Sequence, residues 1–542
     1  MDIQSVKTEP YFDQICGTAG LRKKVSVFKQ PNYLENFVQS IFNSLDGFEG
    51  KTLVIGGDGR YFNNQAIQSI IKIAVANQFG RLIIGQNGIL STPASSHMIV
   101  KREAFGGIIL SASHNPGGQN GDFGIKYDTA EGAPAPQSIT DKITEHSKTI
   151  DHYWIAAIKD IKLSEIGEQT IGSTVIEIVD SVKDYAEYMQ QIFDFDAIRG
   201  LFKNGFKMSY DALNAVTGPY ASYIFETLLG ADEGTVLNKN PLPDFGGLHP
   251  EPNLTYAKHF VDKMYQDDAP DFGAASDGDG DRYMILGKKF FVTPSDSLAI
   301  LAEYMEQIPF YSGRVYGTAR SMPTAPAVDK VMQDKNLPVY ATPTGWKYFS
   351  SLLNSKRISL CGEESFGTGS FHLCEKDGIW AILFWLNILA ITGKSVQELT
   401  HDLWNKYGRV FTSTQSYEGL ETETTNEMMN ALKEKLESLK GQIINGHKII
   451  NTFVFDYTDP VTGDIANNQG YNIEFEDGRI FCRLSGTGSS GATLRMYYAC
   501  ETKDQEKYTL SAVDALKDFT DAANKILGIK EYTGKDAPTV IT

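Results

Sequence analysis

The sequence predicts an α/β protein: three tandem, related α/β domains with mixed or parallel sheets, followed by a C-terminal α+β domain. A recurring strand–turn–helix opening and a late change of pattern carry that prediction. Residues 52–56 read as a strand, Gly57-Asp58-Gly59-Arg60 as a turn, and 66–80 as a helix with apolar spacing at Ile67, Ile70, Ile71 and Ala74. The opening recurs at 206–210, followed by a loop through Gly218-Pro219 and a helix ending near Gly230. A third copy starts at 314–316, with a loop over 318–324 and a helix towards Asp334. Strands alternating with helices of this length imply βαβ units. Beyond Lys406 the pattern changes: strand-like 409–413, a helix over 427–439, strand-like stretches at 447–450, 471–475 and 479–483, and a closing helix over 508–527. That order suits a largely antiparallel sheet. The expected domains are 1–188, 189–303, 304–406 and 407–542.

At 542 residues the chain exceeds one core and should divide into roughly three to five domains. Hydrophobic residues at 42% and charged residues at 22% place it among soluble globular proteins. A net charge of −17 argues against a nucleic-acid partner and for a self-repelling surface, so a monomer or weak dimer is expected. Five scattered cysteines without a Cys-x-x-Cys pair read as reduced thiols of a cytoplasmic protein. The start shows no basic segment leading into an apolar one, so no signal peptide is expected. The apolar run 379–391 falls short of the about 20 residues needed to span a bilayer and reads as a buried core helix, so no membrane partner is expected.

Four short motifs carry chemistry. In Asp277-Gly278-Asp279-Gly280-Asp281-Arg282, carboxylates at alternate positions can converge on one cation. The loop is not an EF-hand, because Arg282 stands where glycine is required and Lys288 where a bidentate glutamate belongs. Three carboxylates plus one outside oxygen fit Mg²⁺, with Arg282 beside any anion the metal holds. Ser111-Ala112-Ser113-His114-Asn115-Pro116-Gly117-Gly118 follows the apolar run 107–110 and presents Ser113 at a strand's carboxyl end, where open α/β sheets place reactive groups. Gly-x-Ser-x-Gly is absent, and the adjacent His114 is not expected to face Ser113 as a base. A phosphorylated Ser113 could complete the cation's shell; read alone, the serine better suits a turn that it stabilises itself. His114 can hydrogen-bond a phosphate, and Lys126 can supply positive charge behind the loop.

Glu363 and Ser365, in Gly362-Glu363-Glu364-Ser365-Phe366-Gly367, suit a ligand rich in hydroxyls, with Thr344-Gly345-Trp346 adding an aromatic face. A capping-type turn explains that motif equally well. Lastly, Arg483-Leu484-Ser485-Gly486-Thr487-Gly488, with Arg495 beyond, combines small residues, hydroxyls and two arginines. Such a loop cradles a phosphate, and it is neither Walker A nor a dinucleotide fingerprint. It concentrates positive charge locally in an acidic chain.

In this order, the four motifs resemble those of the α-D-phosphohexomutase superfamily, and more narrowly its eukaryotic-type, glucose-specific phosphoglucomutase branch. Gly17-Thr18-Ala19-Gly20-Leu21-Arg22, Gly85-Gln86-Asn87-Gly88-Ile89-Leu90-Ser91-Thr92-Pro93 and the ending Ala537-Pro538-Thr539-Val540-Ile541-Thr542 strengthen the resemblance, which covers essentially the whole chain. It implies four domains around a central cleft, the fourth a lid. It implies interconversion of glucose 1-phosphate and glucose 6-phosphate through a phosphoserine enzyme, with Mg²⁺ and glucose 1,6-bisphosphate as cofactor and intermediate. By position, Ser113 is then the phosphoserine, and Asp277, Asp279 and Asp281 hold Mg²⁺ with the serine's phosphate. Glu363 and Ser365 contact sugar hydroxyls, with Thr344 and Gly345 in the substrate set. Arg483, Ser485, Gly486, Thr487 and Arg495 bind the non-reacting phosphate. Lys376 lies near the reacting group, and Arg22 and Arg282 neutralise charge. The chain departs from the pattern at Phe371 and Cys374, where the resemblance implies aspartate and arginine. The alternative function is a low-activity phosphoglucomutase-like scaffold or secretion-linked phosphoprotein; a metal-dependent phosphatase is a third reading.

Overall fold

The computed structural model describes residues 2–17, 19–485 and 491–542, with strand assignment alone at 486–488. The chain divides into two compact units: 1–291, 306–314 and 366–396 form the first, and 292–305, 315–365 and 397–542 the second.

Besides the antiparallel pair Ile3–Lys7 and His152–Ala156, the first unit contains two sheets. The larger has seven strands in the order Leu21–Lys24, Asp122–Thr129, Gly106–Leu110, Thr52–Gly57, Arg81–Ile89, Thr174–Val179 and Gly167–Ile171. Its four central strands run parallel and its flanks antiparallel. The parallel centre explains the near-continuous burial of Thr52–Gly57 and Gly106–Leu110, since helices cover both faces of such strands. The second sheet has five strands in the order Val236–Leu237, Met208–Asp211, Phe272–Ser276, Tyr283–Gly287 and Phe290–Phe291. Helix Gly378–Thr392, N-capped by Asp377 and closed by Gly393 at φ 65°, is buried over most of its length, as expected of a core helix. Among the described residues no single helix is long and apolar enough to cross a membrane.

The second unit holds three parallel strands, Val339–Thr342, Thr318–Ser321 and Leu360–Gly362, with Thr318–Ser321 in the middle. Besides the short pair Tyr457–Thr458 and Ile465–Ala466, it has a sheet of seven antiparallel strands in the order Ile443–Ile444, His447–Val454, Tyr471–Phe475, Gly478–Gly488, Gly491–Thr502, Arg409–Leu420 and Val540–Ile541. Helices Thr422–Leu439 and Lys517–Leu527 pack their apolar faces on it through Met428, Leu432, Phe519 and Ile526.

The fold class is the expected one, but two openings and the closing helix differ in detail. The third strand is Thr318–Ser321 rather than 314–316, so the stretch read as a loop begins as a strand. Its charged residue misled the reading: Arg320 is buried and satisfied by Asp329 at 2.6 Å. Gly218-Pro219 opens a helical segment, Thr217–Ala221, instead of forming a loop. A side chain at Gly218 would press within 1.9 Å of the Lys239 carbonyl, which explains a glycine inside a helix. The closing helix is broken into Gln505–Thr509, Ala512–Ala515 and Lys517–Leu527, with Ser511 capping the middle piece.

Candidate active site

In the first unit, strand Gly106–Leu110 ends in the serine loop, and strand Phe272–Ser276 ends in the aspartate loop. The two loops meet: Ser113 Oγ donates to Asp277 Oδ2 at 2.8 Å. Gly278 makes that approach possible, since a Cβ there would lie 2.4 Å from the Ser113 carbonyl oxygen. Ser113 itself adopts φ 49°, a left-handed backbone rare outside glycine. His114 Nδ1 lies 3.4 Å from Ser113 Oγ. At that length it is a neighbour, not a strong partner. Burial, with Arg282, Arg22 and Lys376 adding like charge, holds His114 well below the usual imidazole range, so it stays neutral.

Asp277, Asp279 and Asp281 are all buried, with one carboxylate oxygen from each lying within 4.8 Å of the others. A turn, not an extended backbone, brings them together: the Gly280 amide donates to the Asp277 carbonyl at 3.2 Å and Gly280 takes φ 80°, which corrects the expectation of strand-like alternation. Asp277 Oδ1 accepts from the Gly280 and Arg282 amides at 3.1 Å each, and Asp279 Oδ2 from Thr92 Oγ1 at 2.8 Å. Asp279 Oδ1 and Asp281 Oδ1 are buried without a hydrogen-bond partner among the described residues. Burial, then the Asp281 and Asp279 carboxylates, push Asp277 well above the usual carboxylate range. Burial also opposes ionisation of Asp279, but Lys126, the Thr92 hydroxyl and Arg22 outweigh it and lower its pKa. Three crowded carboxylates with unspent oxygens fit a hard cation, which would supply the missing charge and partners.

The other predicted cations stand around this loop. Lys376 Nζ lies 3.3 Å from Asp281 Oδ2, and Arg282 Nε 3.8 Å from Asp281 Oδ1. Arg22, on strand Leu21–Lys24, has its Nε buried without a hydrogen bond among the described residues; burial lowers its pKa while Asp279 opposes the drop. Lys126 donates to Glu375 Oε1 at 2.7 Å and lies 3.8 Å from Asp128 Oδ2. Burial alone would pull Lys126 down, yet Asp128 and Glu375 hold its pKa above the ordinary value. The segment carrying Glu375 and Lys376 is itself fixed. Asp377 accepts from Tyr185 OH at 2.6 Å and from the Trp380 amide at 3.0 Å, and contacts His372 Nε2 at 3.2 Å.

Phe371 does not face these groups. It stacks on Phe310 with ring centroids 5.7 Å apart, packs edge-on to Tyr311 at 5.2 Å, and lies 5.4 Å beneath the Arg314 guanidinium. Where the resemblance implies a carboxylate, an aromatic–cation cluster fills the space.

The second unit carries the remaining predicted residues. Glu363 is buried and accepts from the Gly345 amide at 3.2 Å, with Ser365 Oγ 3.5 Å from its other oxygen. Thr344 Oγ1 is buried without a partner among the described residues. Trp346 offers no open aromatic face, because it is buried and packs edge-on to Phe349 at 5.0 Å. Helix Lys347–Asn354 begins directly after it and draws the ring into the core. Arg483 and Arg495 are paired residues of adjacent antiparallel strands, so their side chains share one face. Arg483 Nε donates to Tyr497 OH at 3.2 Å, and Arg495 is exposed. Two like charges directly opposite one another cost stability unless an anion lies between them. Ser485 pairs with Thr493 beside them. Gly486 and Thr487 fall outside the described residues.

Sequence reasoning missed Asp58 and Arg60 beneath the serine loop, Thr92 on Asp279, and Glu375 and Asp128 around Lys126. Gly57-Asp58-Gly59-Arg60 did carry a signal: it lies at the carboxyl end of strand Thr52–Gly57, as Ser113 does on the strand beside it. The reading took it only for a turn.

Comparisons with known proteins agree with this geometry. Models of the phosphoglucomutase/phosphomannomutase α/β/α domains I, II and III match residues 13–154, 183–289 and 293–407. The phosphoglucomutase-1 C-terminal domain model matches 409–539. The chain is 52% identical over 541 residues to the phosphoglucomutase of Rhizobium radiobacter, covering all of both chains. It is 49% identical over 554 residues to that of Schizosaccharomyces pombe, again covering all of both. The open-form crystal structure of the exocytosis-sensitive phosphoprotein pp63/parafusin, a phosphoglucomutase of Paramecium, matches with a TM-score of 0.93 and 46% identity. That match covers all of this chain and 99% of the Paramecium one.

Proposed function

Because this chain belongs to the phosphoglucomutase/phosphomannomutase family, we infer that it interconverts glucose 1-phosphate and glucose 6-phosphate, with Ser113 as the phosphoryl carrier and glucose 1,6-bisphosphate as the intermediate. One observation supports the assignment of Ser113 most strongly: its hydroxyl lies 2.8 Å from Asp277, inside a buried trio of carboxylates. Asp277, Asp279 and Asp281 would hold Mg²⁺. When bound, that ion neutralises charge on the transferring phosphoryl group.

The protein's own groups do the rest. Phosphorylated Ser113 gives up its phosphoryl group as the P–O bond to Oγ breaks and a new one forms to the free sugar hydroxyl. That hydroxyl loses a proton and Oγ gains one, so the transfer is proton-neutral. Lys376, Arg22 and Arg282 carry positive charge beside the transferring group, and neutral His114 can hydrogen-bond its oxygens. Lys126, locked between Glu375 and Asp128, adds fixed positive charge at the reacting end. In the second unit, Glu363 and Ser365 suit sugar hydroxyls, and Arg483, Arg495 and Ser485 suit the phosphate that does not react. The second transfer returns the other phosphate of the bisphosphate to Ser113, leaving the isomeric monophosphate.

The net charge of −17 and five free thiols support a cytoplasmic monomer or weak dimer. A coupled assay for glucose 6-phosphate, run beside one for inorganic phosphate, tests the reading. Conversion of glucose 1-phosphate that needs both Mg²⁺ and catalytic bisphosphate supports a mutase. Release of inorganic phosphate without isomerisation would instead mark a phosphatase.

A further inference from the structure

The left-handed backbone of Ser113 needs an explanation, because a non-glycine residue at φ 49° is unfavourable and persists only where its surroundings over-determine it. Both main-chain polar groups of Ser113 lead to one ion pair. The Ser113 amide donates to Ser111 Oγ at 2.7 Å, and Ser111 Oγ donates to Asp58 Oδ2 at 2.7 Å. The Ser113 carbonyl accepts from Arg60 Nη2 at 2.7 Å. Arg60 Nε in turn donates to Asp58 Oδ2 at 2.8 Å and Oδ1 at 3.1 Å, and both side chains are wholly buried.

The remaining Arg60 donors hold the same loop. Nη1 donates to the Asp122 carbonyl at 2.9 Å, and the Asn115 carbonyl lies 3.4 Å from it. The Phe245 ring covers the guanidinium, its centroid 5.2 Å away. A planar fork with five donors can span three carbonyls and a carboxylate at once; an ammonium cannot.

We propose that the Asp58–Arg60 pair is the positioning device of the transfer step. It imposes the left-handed conformation on Ser113 and thereby aims Oγ at the aspartate loop. Neither residue touches the reacting atoms. They act through the Ser113 main chain, with Ser111 as the link on the amide side. The inference rests on the mutase reading, since it assigns these residues to the geometry of the phosphoryl carrier.

Two variants separate positioning from folding. Arg60→Lys keeps the buried charge and loses the fork; Ser111→Ala breaks only the amide link and leaves the ion pair in place. Each is loaded with glucose 1,6-bisphosphate and assayed with glucose 1-phosphate, beside wild type. We expect kcat to fall by about 100-fold in Arg60→Lys and about tenfold in Ser111→Ala, as misplacement of a reacting group does. We expect KM for glucose 1-phosphate to stay within about twofold in both, because ground-state binding is untouched. Ser111→Ala should unfold within a few degrees of wild type, since it loses only two buried hydrogen bonds, and it decides the matter if Arg60→Lys fails to fold. A Ser111→Ala enzyme with wild-type kcat, or one in which kcat, KM and unfolding temperature deteriorate together, overturns the proposal. Wild type that accepts no phosphate on Ser113 overturns the mutase reading and this inference with it. Wild type that does so beside unaltered variants overturns this inference alone.

Discussion

The charges around Ser113 and those of the predicted phosphate-binding residues in the second unit are handled differently. Around Ser113 the ionisable groups are withdrawn from water: the three aspartates, Glu375, Asp128 and the Asp58–Arg60 pair are buried, and Lys126 is mostly buried between Glu375 and Asp128. In the second unit Arg495 is exposed, Arg483 and Ser485 are half-buried, and Ser365 approaches Glu363 only at 3.5 Å. Phosphoryl transfer needs charges fixed in advance, and burial strengthens their fields. A sugar phosphate that must be bound in two orientations needs groups free to adapt. The contrast divides the labour: losses in the first unit should appear in kcat, and losses in the second in KM.

The sharpest way to break that division is Asp279→Asn. It removes charge from the cation site and should lower kcat by roughly 10³-fold with secondary structure intact, in a Mg²⁺ titration of activity. Arg495→Ala should behave oppositely. Loss of one charge-assisted phosphate contact is expected to raise KM by about 30-fold while leaving kcat within about threefold. A kcat collapse there would erase the distinction between the units.

Asp128 tests the burial half of the contrast. Burial pushes its carboxyl up to about 7, with Lys126 opposing and Glu375 adding to the rise. The folded state therefore holds this proton more tightly than the unfolded chain. The stabilisation is fully present below the unfolded pKa and is lost as pH rises through about 7. The thermal unfolding temperature of wild type should fall between about pH 4 and pH 7, and Asp128→Asn should flatten that slope. The smallest effect is expected at Phe371. Because its ring packs on Phe310, Tyr311 and Arg314, Phe371→Leu should cost about 1 kcal/mol of stability. It should leave kcat within about twofold, read by denaturant unfolding and the coupled assay.

How much of this was legible in the sequence follows the same physics. The alternating aspartates and the serine at a strand end declared themselves, because their chemistry depends on local spacing. The four-part organisation was visible in the repeated strand–turn–helix openings and in the late change to antiparallel pattern. What stayed hidden depends on distant partners. Arg320 disguised a strand because only its pairing with Asp329, nine residues on, makes its burial affordable. Trp346 resembled a ligand face until the following helix drew it inward. Asp58 and Arg60 passed for a turn, since their target lies 53 residues away across a parallel strand pair.

The most direct test of the central claim is to map phosphate on the protein. Wild type is incubated with glucose 1,6-bisphosphate and Mg²⁺, digested and sequenced by mass spectrometry, before and after addition of glucose 1-phosphate. The account predicts one phosphate on Ser113, discharged to the sugar as glucose 1,6-bisphosphate reforms. A phosphate elsewhere, or one on Ser113 that glucose 1-phosphate does not remove, would contradict it.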